Sequence, residues 1–329
     1  MSKLIDYQSE EGKILKPLFQ DRMIDPFIAN IVESFIYEEV VNLNEEGFIV
    51  ERFMTKFGEC HGLYQSWYEN GQLEDEGLHV EGKREGVHLK WHENGKLFQE
   101  MKYKDDVLDG PFTEYYDNGI KSDEGTYLKG KRHGEWKSWH EDGQKWIEAT
   151  YDNGEYTGVF KRYHGGEILE EEIFYVNGKI EGIRRAWHEN GQLSSETVYK
   201  HGVMDGHTKE WFEDGTLSED QFYINGKPHG VFRGYCDDGV KLYERTYEYG
   251  KKIGVMNSWY SNGQMRDEIP FEDGEIHGVR RHWYHNGQLA YERTHVNGKI
   301  RGLQREWNTD GNLLREVVNI DGRNIPVRE

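Results

Sequence analysis

Apolar and aromatic residues along this chain fall in short runs broken by glycine, and equivalent runs return at a fixed interval. Glycine stands at 62, 86, 110, 134, 158, 182, 206, 230, 254, 278 and 302, each step being 24 residues. At 67, 91, 115, 139, 163, 187, 211, 235, 259, 283 and 307 the residue is Trp eight times and Tyr three times (Tyr115, Tyr163, Tyr235). From 76 to 316 in the same steps it is Glu ten times and Asp once, at Asp220. Tyr fills 103, 127, 151, 175, 199, 223 and 247, followed by Phe271. In the unit around Trp91 these positions are Gly86, Trp91, Gly95, Glu100 and Tyr103. Self-similarity at a fixed period without insertion is the mark of a repeat architecture.

Two turn signals punctuate each unit. One is Asn/Asp-Gly, as in Asn70-Gly71, Asn94-Gly95 and Asn190-Gly191; the other is a Gly mostly followed by Lys, as in Gly130-Lys131 and Gly178-Lys179. Asn-Gly between apolar runs is a strong hairpin signal, because both central residues of a type I′ turn need φ > 0. Two turns per unit leave room for two strands of roughly six to eight residues, and no unit has the length or the 3.6 period of a helix. The spacing predicts an all-β fold: an elongated single-sheet antiparallel β-hairpin meander, a solenoid-like array of about eleven repeats with neighbour-only contacts.

The turn type sets the register, and two registers fit. A two-residue I′ turn at Asn94-Gly95 pairs Trp91 with Phe98, Leu89 with Glu100 and Gly86 with Tyr103. It places Lys137, Lys161, Arg185, Lys209, Arg233, Arg281 and Arg305 opposite the acid column, and each such pair adds about 0.2–1 kcal/mol. A three-residue turn with a Gly bulge shifts the pairing by one and puts Trp91, Leu97 and Tyr103 on one apolar face. The first register accounts for the acid, base and Gly columns together.

The ends depart from the pattern. In "DPFIANIVESFIYEE" Asp25 is an N-cap and Pro26 a first helical residue, and Phe27, Ile28, Ile31, Val32, Phe35 and Ile36 keep helical spacing. The expected organisation is an N-terminal segment 1–40 with a capping helix over about 25–36, then a repeat array 41–325 whose first repeat, 41–58, is degenerate. At the other end Pro326 cannot donate to a ladder and blunts the edge.

Composition adjusts this picture. Only 35% of the residues are hydrophobic, yet there are 21 Tyr, 14 Phe and 10 Trp among 329, with 39 Gly. Disordered chains are poor in aromatics, so this is a β-repeat composition. The net charge of −20 argues against nucleic-acid binding, which needs cations to neutralise phosphates, and against an anionic membrane surface. A basic protein partner fits better. Cys60 and Cys236 lie about seven units apart with no metal-ligand spacing, which points to a reducing compartment. "MSKLIDYQSEEGKILK" holds no apolar core of a signal peptide and no 18-residue apolar run occurs, so a cytoplasmic protein without membrane insertion is expected.

The stretch "WHENG", residues 91–95 and 187–191, invites a catalytic or metal reading, as do the columns His92, His140, His164, His188 and His133, His229, His277. Equivalent residues sit two strands, about 9–10 Å, apart, whereas zinc ligands all lie about 2.0–2.3 Å from one ion. Catalysis needs unlike groups converging on one pocket, and a periodic row of acids offers the same group each time. No catalytic residue, metal or cofactor is expected. Trp and Tyr dominate interface hot spots, so the aromatic column is either core or a binding stripe. Partner-binding candidates are Trp136, Trp139, Trp146, Tyr163, Trp187, Trp211, Tyr235 and Tyr243; Ile147, Phe160, Phe174 and Tyr291 add apolar surface to single units.

Units such as "GKRHGEWKSWHEDGQKWIEATYDNGE" and "GKIEGIRRAWHENGQLSSETVYKHG" resemble the variant MORN (membrane occupation and recognition nexus) repeat, over roughly residues 58–325. Bacterial chains of this repeat are similar to the YwqK-type antitoxin or immunity family. The resemblance implies an antiparallel β-sheet built for protein contacts, with no catalytic residues to carry over. It also implies scaffolding and phospholipid contact, the latter at odds with the charge. A non-catalytic binding protein that neutralises a toxin or effector is the leading expectation. The alternative is a scaffold or assembly protein that self-associates through its sheet edges.

Overall fold

The structure is a computed structural model and describes residues 37–327. The expected helix over 25–36 lies outside the described residues. Within them the chain forms 29 strands, all antiparallel and assigned to one sheet. Each 24-residue unit contributes two strands: Lys83–Trp91 with Leu97–Lys104, Val107–Tyr115 with Lys121–Leu128, and so on along the chain. In four units a bulge splits the first strand, as in Lys179–Ile180 and Gly182–Trp187. The degenerate first unit is a hairpin of Tyr37–Leu43 and Ile49–Lys56. At the other end Arg323–Pro326 pairs with Leu313–Ile320, with Pro326 as its last residue. The packing divides at Gln144/Lys145 into two compact units, each built of the same hairpins.

The register combines the two expected ones. Gly86 faces Tyr103 and Leu89 faces Glu100, as a two-residue turn requires, yet Trp91 faces Leu97. The Asn94-Gly95 turn is a three-residue loop: His92 N–H donates to the Lys96 carbonyl at 2.8 Å and Gly95 N–H to the His92 carbonyl at 2.8 Å. Only Gly95 has positive φ there, +80°, which is a type I turn closed by a glycine bulge. A second bulge between Lys90 and Trp91 leaves Phe98 without a partner and restores the frame. The two-residue I′ turn occurs instead at the other end of the hairpins, as at Glu81-Gly82 with φ +51° and +77°, where Val80 faces Lys83.

The 24-residue glycine column has a backbone cause. All of its members have φ between +65° and +140°, at an irregularity in pairing with the preceding strand, where Met101 faces Phe112 but Tyr103 faces Leu108. L side chains resist that conformation. At Gly206, φ +139°, a Cβ would also lie 2.8 Å from the Val198 Cβ.

Alternation along each strand makes two faces. One carries the core. In the first unit it holds His88, Met101, Tyr103, Phe112 and Trp136, with His88 and Trp136 each only 2% exposed. Large rings there seat over glycines. A Cβ on Gly77 would overlap the His88 ring, and one on Gly125 the Trp136 ring. Both rings use their N–H on a carbonyl of the preceding strand: His88 Nε2 donates to Leu78 at 2.9 Å and Trp136 Nε1 to Thr126 at 3.2 Å. Burial pushes the His88 imidazole below its ordinary range, which keeps it neutral. In the second unit the core holds Ala149, Tyr151, Phe160, Ile173, Phe232, Met256 and Val317.

Candidate functional site

The other face carries the charge ladder. Bases of one hairpin bridge acids of two. Arg185 lies 3.0 Å from Glu196 and 3.9 Å from Glu172. Arg305 lies 2.7 Å from Glu316 and 2.9 Å from Glu292. Arg281 reaches Glu268 and, at 3.6 Å, Glu292, so Glu268–Arg281–Glu292–Arg305–Glu316 is one unbroken chain of pairs. Arg233–Glu244 at 3.0 Å and Lys161–Glu172 at 3.7 Å repeat the contact. Where the base column holds Gln65, the amide donates to Glu76 at 2.7 Å instead.

The aromatic column runs beside the ladder on that face. Trp91 faces Leu97, Trp187 faces Leu193 and Trp211 faces Leu217. Where the Leu position is Lys, the ammonium covers a ring: Lys121 on Trp139 at 5.6 Å and Lys241 on Trp259 at 4.5 Å. Trp91, Trp139, Trp187, Trp211 and Tyr235 are half-buried. Tyr163 is deeper, 8% exposed, and donates to Glu148 at 2.8 Å. Burial, then that hydrogen bond, pushes its phenol far above the ordinary value.

The histidine of "WHENG" ties consecutive units together. His92 Nε2 donates to the Tyr115 carbonyl at 2.9 Å, His164 to Trp187 at 2.8 Å and His188 to Trp211 at 2.8 Å. Where this position is Tyr, the hydroxyl makes the same bond: Tyr68 to Trp91 at 2.7 Å, Tyr116 to Trp139 at 2.9 Å and Tyr260 to Trp283 at 2.7 Å. The asparagine makes a second tie. Asn94 Nδ2 donates to the Asp117 carbonyl at 2.8 Å, while its Oδ1 accepts from Lys96 N–H at 3.0 Å. The sequence predicts neither a metal nor a catalytic role for this His column and does not reveal the tie. The missed signal was that His and Tyr share a ring-borne donor at similar reach. Among the described residues no group of three potential ligands is placed to hold a metal ion.

The candidate partner residues separate by face and by burial. Tyr163, Trp187, Trp211 and Tyr235 share the ladder face of the second unit, two strands apart; Trp139 has the same place in the first. Trp136 belongs to the core, so its 2% exposure leaves no surface for a partner; its seat over Gly125 explains why. Trp146 is 42% exposed. Tyr243 packs over Gly234 with Arg245 at 4.3 Å on its ring. Burial, then a hydrogen bond to Glu219, pushes the Tyr243 phenol up to about 12. Reasoning from sequence also missed carboxylates set directly opposite each other on the core face, Glu114 with Asp123 and Glu210 with Glu219. Burial first, then Glu219, raises the Glu210 carboxyl above its ordinary value. A shallow recess in the first unit is lined by Pro111, Thr113, Glu124, Thr126, Glu135 and Lys137.

The family model for the MORN repeat variant matches eight segments, 61–80, 84–105, 108–129, 132–153, 180–201, 204–225, 252–273 and 276–297, together more than half of the chain. The chain belongs to the MORN repeat variant family. The intervals the model leaves between matches, after 153 and after 225, carry Tyr163 and Tyr235 at the Trp position. Both still fold as the MORN hairpin, with Gly158 facing Tyr175 and Gly230 facing Tyr247. In the first of them, "HGGE" lacks the Asn, and the loop tightens so that Gly165 faces Ile168. No curated protein matches the chain. Among solved structures, TcdB2-TccC3 without its hypervariable C-terminal region is 9% identical, over 86% of this chain and 18% of that one, with a TM-score of 0.18. TcdB2-TccC3-Cdc42 is 12% identical over 86% and 18%, with a TM-score of 0.13. Alternansucrase in complex with isomaltononaose is 13% identical over 88% and 23%, with a TM-score of 0.17. The chain spans less than a quarter of each of these proteins, and likenesses at such scores carry no argument. Among the described residues no helix is long and apolar enough to cross a membrane.

Proposed function

We propose that this MORN repeat protein is a non-catalytic, cytoplasmic binding protein that holds another protein against its ladder face, as an antitoxin or immunity protein holds a toxin or effector. The observation that carries the reading is the row of half-buried rings Trp187, Trp211 and Tyr235 with Leu193 and Leu217 set between them. Trp and Tyr offer large contact area at low entropy cost and supply most interface hot spots. The charge ladder beside them on the same face supports the strand register, so the row is preorganised. The loops beside it carry exposed Glu189, Glu213 and Asp237, and with a net charge of −20 the surface suits a basic partner, steered by charge complementarity. The absence of convergent unlike groups in a periodic row supports a role without catalysis.

The test is a pull-down from the native host with the full chain and with W187A/W211A. A single stoichiometric, basic, toxic partner, captured by the native chain and reduced at least tenfold by the double variant, is the expected result. Capture that weakens as salt rises from 50 to about 300 mM is also expected, since the Debye length falls below 8 Å over that range. Recovery of this chain alone, as oligomers, overturns the reading in favour of a self-associating scaffold.

A further inference from the structure

The core face of the second unit changes character toward the C-terminus. Where the first unit sets His88 opposite Met101, this region places Arg280 and Arg293, and the two arginines stand directly opposite each other on neighbouring strands. Like charges in that relation repel. The compensation around them is thin. Arg280 lies 3.8 Å from Asp267 and Arg293 2.9 Å from Glu306. Both acids are already shared. Asp267 accepts from Ser258 at 3.0 Å and from Arg266 at 3.0 Å, and meets His282 Nδ1 at 2.9 Å. Glu306 has Arg315 at 3.9 Å. Four guanidiniums, of Arg266, Arg280, Arg293 and Arg315, thus surround two carboxylates. The Nε atoms of Arg280 and Arg293 are buried with no acceptor, so neither guanidinium is fully used by its acid. The ring of Tyr291, stacked on His282, lies 4.3 Å from the Arg293 guanidinium and 5.6 Å from that of Arg280, and holds both in place through its face.

We propose that Arg280 and Arg293 form a binding site for an oxyanion, a carboxylate or a phosphate group presented by a ligand. Two guanidiniums set over one ring can each donate to an oxygen of such a group, as charge-assisted hydrogen bonds stronger than neutral ones. The side chains remain open to an incoming group, 33% and 34% exposed. The surplus of positive charge is local, within a chain of net charge −20, so a discrete anion fits and an anionic surface does not. This site stands on the opposite face from the aromatic row, and its outcome is independent of the binding function proposed above.

Isothermal titration of the full chain with inorganic phosphate and, separately, with glutarate, both at matched chloride and ionic strength, tests it. Saturable binding of at least one anion is expected, weakened at least tenfold in R280M and in R293M and unchanged in R245M, whose arginine stacks on Tyr243. Binding of phosphate alone assigns a phosphorylated ligand; binding of glutarate assigns an acidic side chain or chain terminus. In chloride buffer R280M should melt no lower than the native chain, because a like-charge contact has gone. The proposal is overturned by the absence of saturable binding to either anion, by unchanged affinity in R280M and R293M, or by a melting point lowered in R280M with binding intact.

Discussion

At Phe212 the repeat lacks the ring-borne donor that His188 and Tyr260 use to reach the carbonyl of the next unit. Its exception makes a test. Phe212→Tyr should restore a bond to the Tyr235 carbonyl and raise stability, whereas Tyr116→Phe should remove one; each is worth about 0.5–1.5 kcal/mol. Chemical denaturation of the two variants measures both signs, and equal midpoints for all three chains would mean the ties contribute nothing. Glu210 supplies a pH prediction. Its folded value is raised by burial and by Glu219 opposite, so the folded state holds a proton that the unfolded chain has released. The sign follows from linkage: the contribution of Glu210 to stability is fully present below the ordinary carboxyl range and is lost as pH rises through the raised value. Glu210→Gln removes the repulsion, so melting temperatures of variant and native chain should coincide near pH 4 and diverge by pH 6.5, the variant melting higher. A constant gap across that range would assign the effect to packing instead.

Hairpins are where sequence and structure can be compared strand by strand. Ring-on-glycine seats are the packing device of the core face, and Gly125 under Trp136 should show it in stability. Gly125→Ala places a methyl into the indole and should cost about 1–3 kcal/mol, the usual penalty of overpacking. Trp136→Val combined with Gly125→Ala should show strong non-additivity, since the smaller side chain leaves room for the methyl; additive costs would place the strain elsewhere. That seat was not legible in the sequence, because Trp136 and Gly125 lie on different strands and each also fits a surface role. What was legible came from columns. Gly, acid and base recurring at 24 residues fixed which strand faces which, and Leu89 opposite Glu100 and Gly86 opposite Tyr103 follow. The turn was read less well, because Asn-Gly serves both I′ loops and type I loops closed by a glycine bulge. The choice between them depends on the second bulge at Lys90/Trp91, and no single residue marks that bulge. The ties made by the His column were not legible for a related reason: their partner is a backbone carbonyl, which leaves no trace in sequence.

Charge is the property in which the whole molecule differs most from its parts. Each ladder pair is a surface contact between side chains about a third exposed, such as Arg305 and Glu316 at 38% and 26%, and contributes about 0–1 kcal/mol. Set against these pairs is a net charge of −20, whose self-repulsion acts on the folded state at every separation within a Debye length. Added salt weakens both, but not equally. Contacts near 3 Å lie well inside the Debye length of about 8–10 Å at physiological ionic strength, whereas repulsion between acids of separate units acts over longer distances and is screened first. The melting temperature should therefore rise as sodium chloride goes from about 10 to 150 mM, where the Debye length shortens from roughly 30 to 8 Å. Arg305→Gln, which breaks the bridge between Glu292 and Glu316 and deepens the negative charge, should lower the melting temperature and steepen its rise with salt. A melting temperature that falls over the same range would mean that the ladder outweighs the net repulsion, and that the bases at 185, 233, 281 and 305 stabilise the array more than surface pairs of this exposure usually do.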